Sequence, residues 1–126
     1  MEKRAEEHPA PEKAAVLTKA VIRAARLLGV SQAQVAATLG VSEATASRMF
    51  GGKYVLEPGR GKEWELAALF VRLFRSLDSL LASEEKARAW LPSRNSALGA
   101  KPIDLISRAE GLVHVLQYLD AARGRI

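Results

Sequence analysis

Two short helices joined by a glycine turn are written into residues 31–52, and they constrain the fold more than any other stretch. In SQAQVAATLG, Ser31 precedes a run in which Val35, Ala36 and Leu39 share one helical face. Gly40 ends that run, because a residue without Cβ enters the left-handed turn conformation at little cost. Ser42 then stands where its hydroxyl oxygen can accept a free backbone N–H of a second helix, Glu43 to Phe50. Two capped helices around a tight turn predict a helix-turn-helix, whose second helix can enter a DNA major groove.

The composition of that second helix suits a groove. Ala44, Thr45, Ala46 and Ser47 put little bulk between backbone and partner, and Arg48 adds a permanently charged fork able to make two bonds to guanine or to a phosphate. The bland alternative is an alanine-rich hairpin with a solvated arginine. Charge distribution bears on the choice. The chain has a formal net charge of +5. Between Lys19 and Arg60 it places six bases, Lys19, Arg23, Arg26, Arg48, Lys53 and Arg60, against two acids, Glu43 and Glu57. Most of the excess surrounds the helix-turn-helix, where it draws in phosphate.

The 126 residues fit one compact domain or two small ones sharing a core. There is no cysteine, which excludes disulfides and thiolate metal sites. No signal pattern and no membrane-length apolar run occur, so a soluble cytoplasmic protein is expected. GRGK at residues 59–62 lacks the spacing and preceding strand of a phosphate-binding loop, which argues against an NTPase. His8 and His114 lie in unlike contexts and the acids form no catalytic pairing. No enzyme activity, metal or cofactor is therefore expected.

Along the chain, residues 1–12 carry charges, Pro9 and Pro11 and no apolar face, which predicts a flexible tail. Val16, Leu17, Ala20, Val21, Ala24, Leu27 and Leu28 predict a helix behind the pair, stopped by Gly29. Its Lys19, Arg23 and Arg26 fall on other faces, where solvation is the ordinary role and phosphate contact the alternative. Gly51-Gly52 end the second helix of the pair. Lys53, Arg60 and Lys62 then lie along a Gly/Pro loop from which they can reach DNA backbone.

Glu63 to Leu81 is the longest predicted helix. Its apolar stripe is wide enough to be buried on two sides, either wholly within the chain or partly against a second copy. Ser83 opens a short helix closed by Trp90-Leu91-Pro92, and a polar loop follows with Leu98 as anchor. Ser107 and Glu110 have capping-box spacing before a last helix with Leu112, Val115, Leu116 and Leu119 on its inner face. No strand pattern competes, so the expected fold is an all-α compact bundle. Residues 13–75 would form the DNA-binding part and residues 76–126 the C-terminal part.

With these residues read, the chain resembles the Xre/MbcA/ParS family of bacterial antitoxins over nearly its whole length. The first half, SQAQVAATLGVSEATASRMFGGK, is similar to a Cro/repressor-type helix-turn-helix, a common motif. The second half is more specific: Ala89-Trp90-Leu91, Asn95-Ser96-Ala97-Leu98-Gly99, Lys101-Pro102-Ile103-Asp104-Leu105-Ile106 and Glu110-Gly111 match the family's C-terminal module. The resemblance implies an antitoxin of a type II toxin-antitoxin system. It would neutralise a RES-domain, NAD-consuming toxin by occluding its active site, and it would repress the shared promoter, acting as a homodimer on operator DNA.

Carried over by position, the toxin-blocking segment is Tyr118 to Ile126, with Tyr118, Ala122, Arg123, Arg125 and Ile126 as candidate contacts. For DNA the resemblance puts Gln32 on a phosphate and Glu43, Ala44 and Arg48 at base edges. Ala44 cannot hydrogen-bond through its side chain, and Glu43 is repelled by phosphate although it can accept from cytosine. Thr45, Ser47 and Arg48 are therefore the stronger candidates, with Ser42, Lys53 and Arg60 flanking them. Two alternatives remain open: an inhibitor module whose helix-turn-helix is only a scaffold, and an enzyme, which turnover of NAD by the chain alone would reveal.

Overall fold

The computed structural model describes residues 9–124. Among them are seven helices, α1 Pro9–Leu28, α2 Gln32–Leu39, α3 Glu43–Phe50, α4 Gly61–Leu81, α5 Glu84–Trp90, α6 Pro102–Leu105 and α7 Ala109–Gly124. Among the described residues the only bridge of strand type joins Asn95 to Ala100, so the all-α expectation holds for them. None of these helices is long and apolar enough to cross a membrane.

The first three helices end as their glycines require. Gly29 has φ 71°, Gly40 φ 74° and Gly52 φ 79°. After each, an N–H reaches back five residues: Val30 to Ala25 O at 2.9 Å, Val41 to Ala36 O at 3.0 Å and Lys53 to Arg48 O at 2.7 Å. This is the double-bonded helix stop that satisfies last-turn carbonyls, and it favours a residue without Cβ. Ser31, Ser42 and Ser83 cap α2, α3 and α5 by accepting the N–H of Gln34, Thr45 and Lys86 at 3.1, 3.0 and 3.2 Å. Local chemistry thus sets both ends of α2 and α3.

Two expectations about helix starts need correction. The tail was expected to run to Glu12, but α1 begins at Pro9, because proline is tolerated in a first turn whose N–H groups have no helical acceptor. Residues 1–8 lie outside the described residues. Ser107 does not cap the last helix: its hydroxyl donates to Asp104 O at 2.9 Å, closing the end of α6. Helix α7 starts only at Ala109, so Glu110 is too close to its beginning to complete a capping box with Ser107.

Helix α4 is the spine, packing against α1, α2, α5 and α7. Leu66, Ala67, Phe70, Val71, Leu73 and Leu77 are buried on it. Phe74, Leu80 and Leu81 are half-buried against the same core. Most of the wide stripe is therefore covered within the chain. One core cluster extends from Val21 on α1 to Leu119 on α7, and the expected division between residues 75 and 76 falls inside α4.

The loop after α3 is pinned from below. Thr18, buried in α1, donates to Ala14 O at 2.6 Å and accepts the Leu56 N–H at 2.9 Å, while the Leu56 side chain is fully buried. In the C-terminal half, Leu91 O accepts the Ile103 N–H at 2.9 Å. Asn95 folds its own loop by accepting the Leu98 N–H at Oδ1 and the Gly99 N–H at its carbonyl, at 3.0 and 2.8 Å. Leu98 packs against the core, the anchoring role expected of it.

Candidate nucleic-acid interface and partner surface

Helix α3 turns Ala46 and Met49 inward and leaves Glu43, Ala44, Ser47 and Arg48 exposed. Ala46, small and fully buried, lets α3 seat closely on the core, and Ala44 and Ser47 leave its outer face slim. Ser42, Thr45 and Arg48 lie on one edge, three residues apart, and the fold joins them. Ser42 accepts the Thr45 N–H and donates its hydroxyl to Thr45 Oγ1 at 3.0 Å, while Arg48 Nη2 donates to the same Oγ1 at 3.2 Å. The Thr45 oxygen thus accepts twice, leaving its own proton for another acceptor. Arg48 is held by one N–H and keeps the rest of its fork for outside groups.

The other DNA candidates are less connected. Gln32 is exposed as the first residue of α2, and Lys53 is exposed just after α3. Arg60 stands at the N-terminus of α4, where its Nε lies 3.8 Å from Glu57 Oε1. Both partners are largely exposed, so the pair constrains Arg60 little. Between Lys53 and Arg60 the Tyr54 hydroxyl donates to Glu63 Oε2 at 2.6 Å. Burial, and then the Glu63 carboxylate that accepts its proton, hold the Tyr54 phenol above its ordinary value of 10.0.

The sequence missed two features of this half. Lys19, Arg23 and Arg26, expected on solvated faces, all line one trough with Met49 and Phe50 of α3. Arg88 of α5 lays its stem over Gly29 and donates from Nε to Leu27 O at 3.3 Å, tying the C-terminal half to the end of α1. The four- and three-residue spacing of the bases marks a shared ridge, but the α3 wall opposite it and the Arg88 contact span helices, so no local pattern announces them.

The C-terminal candidates divide sharply. Tyr118 is half-buried and stacks on Trp90 with ring centroids 6.4 Å apart, so its ring is committed to packing. Ala122 is half-buried and Arg123 exposed. Arg123 Nη2 lies 3.6 Å from Asp120 Oδ1, and Asp120 also accepts from Arg72 of α4. Arg125 and Ile126 lie outside the described residues. Among the described residues no group of histidine and carboxylate side chains is placed to hold a metal ion.

A family model described as the antitoxin Xre-like helix-turn-helix domain matches residues 7–72. A second, described as the antitoxin Xre/MbcA/ParS C-terminal toxin-binding domain, matches residues 76–125. The chain belongs to the Xre/MbcA/ParS antitoxin family. No curated protein gives a significant match to it. The antitoxin's two family segments meet inside α4, so one helix carries the helix-turn-helix half into the toxin-binding half. The loop and helices that form residues 89–111, quoted above for the resemblance, lie wholly within the toxin-binding match.

Proposed function

We propose that this antitoxin neutralises a RES-domain, NAD-consuming toxin by covering its active site, and that as a homodimer it binds operator DNA to repress its own transcription. It acts by binding, without catalysis of its own. The observation that carries the DNA reading is the edge of α3 on which Ser42, Thr45 and Arg48 form one hydrogen-bonded chain ending in an exposed guanidinium. Base edges in a major groove offer paired acceptors at guanine that such a fork matches. One recognition helix reads few base pairs, so two copies on a palindrome, with half-sites about 34–36 Å apart, supply useful specificity.

On the toxin side, the match to a toxin-binding domain over residues 76–125 supports the partner. Arg123 and the residues after it are the part of the candidate segment we assign to the toxin's anionic-substrate pocket, since Tyr118 is occupied with Trp90. Two assays test the reading. Duplex DNA from upstream of the antitoxin's own gene should be retarded in a gel, with binding that weakens steeply as salt rises. Co-expression with the neighbouring reading frame should relieve its toxicity and restore cellular NAD. No retardation over a wide concentration range would leave the helix-turn-helix as a scaffold only. Toxicity without NAD loss would remove the RES-domain assignment.

A further inference from the structure

Lys19, Arg23 and Arg26 follow one another at intervals of four and three along α1, so a single ridge of that helix carries them. All three are exposed. They line an open trough of about 600 Å³ whose other wall is the C-terminal end of α3, through Met49, Phe50 and Gly52. Among the described residues no acidic side chain lines it, and none of the three bases enters an ion pair. The Arg26 guanidinium carbon lies 6.0 Å from the centre of the Phe50 ring. An arginine laid over an aromatic face is held in place while its N–H edge stays available for an oxygen acceptor.

We infer that this ridge and trough form a second phosphodiester site, which takes the backbone of the duplex that α3 reads. The inference rests on the DNA-binding reading of α3 and deepens it. Three cations with no ion-pair partner among the described residues, spread over a helical rise of about 10 Å, match a strand bearing a charge at each nucleotide better than a peptide with scattered acids. Position favours DNA as well: the last turn of α3 walls the trough through Met49 and Phe50, and Lys53 directly follows Gly52 at its rim. The ridge would fix the docking of α3 without reading sequence, as phosphate contacts do.

The test is the salt dependence of binding to the DNA upstream of the antitoxin's own gene. In the triple variant Lys19→Gln, Arg23→Gln, Arg26→Gln, the slope of log K against log salt should become shallower by about 2.7 per protomer, or about 5.4 for the dimer on its palindrome. Binding to an unrelated duplex should weaken in the same proportion. The substituted side chains are exposed, and an unchanged thermal melt checks the fold. Substituting Lys86, Lys101 and Arg108 by glutamine removes as much charge from the C-terminal half and should leave the slope near that of the wild type.

Equal loss in the two triples would reduce the effect to net charge and overturn the site. A wild-type slope in the ridge variant, with upstream-DNA preference still lost in Arg48→Ala, overturns the ridge while leaving α3 in place. Absence of DNA binding by the wild-type chain removes both together. Adenosine monophosphate or inorganic phosphate that binds the wild type but not the ridge variant, with an unchanged DNA slope, makes the trough a small-anion site and overturns its assignment to DNA.

Discussion

A methyl group on residue 111 would sit 1.9 Å from the carbonyl oxygen of Leu105 and 2.8 Å from its carbonyl carbon. Those are backbone atoms, so no side-chain rotation relieves the contact, and α6 and α7 meet at this distance only because Gly111 has no Cβ. Alanine gains about 1 kcal/mol over glycine in a helix, but forcing two backbones apart costs about 3 kcal/mol, and the second effect wins. We predict that Gly111→Ala lowers the melting temperature by on the order of 10 °C; an unchanged melt would mean that α6 is free to move. The Gly111 contact was not readable from spacing, since it depends on how closely two helices approach. Tyr54 makes a prediction of another kind. Its phenol is held above its ordinary value, by burial first and then by its bond to Glu63, so the stability tied to its neutral form is fully present below an unfolded pKa of about 10 and is lost as pH rises through the higher folded value. Denaturant titrations of Tyr54→Phe should therefore show less alkaline loss of stability than the wild type, and identical curves would dismiss the bond as a contributor.

At the scale of one helix, α3 shows how much local sequence settles. Its serine cap, small residues and double-glycine stop specify start, surface and end without help from elsewhere. That is why the boundaries expected from sequence and those in the structure agree. The coupling among its side chains leads to a prediction: Arg48→Ala should cost about 1–3 kcal/mol in operator binding. Thr45→Val, which removes the oxygen that holds Arg48, should cost less and mainly blur base preference. If Arg48→Ala binds upstream DNA like the wild type across several salt concentrations, α3 is not the reading helix. Helix α7 shows the opposite case. Ser107 and Glu110 have the spacing of a cap, yet the close approach of Gly111 to Leu105 shapes the turn there, and the serine bonds Asp104 instead.

Across the whole molecule, the shared core changes how toxin binding is best probed. A chain cut before Tyr118 would lose the Trp90 stack and also Leu119, which is fully buried, so failure of that variant would report unfolding. Removing residues 121–126 spares both. We predict that this shorter chain melts near the wild-type temperature and retains DNA binding but protects poorly against the toxin. Full protection would move the toxin contact to the rest of the C-terminal half.

The helical fold, the paired short helices with their caps and the resemblance of residues 89–111 to a toxin-binding module were all legible in the chain itself. Each depends on periodicity, capping chemistry or a run of neighbouring residues. Tertiary structure alone gathered Lys19, Arg23 and Arg26 beside Phe50, let Thr18 hold the Leu56 backbone and withdrew Tyr118 from the exposed tail by stacking it on Trp90. Those contacts join residues far apart in sequence, and only the packing of α1, α4 and α7 into one core decides which of them meet.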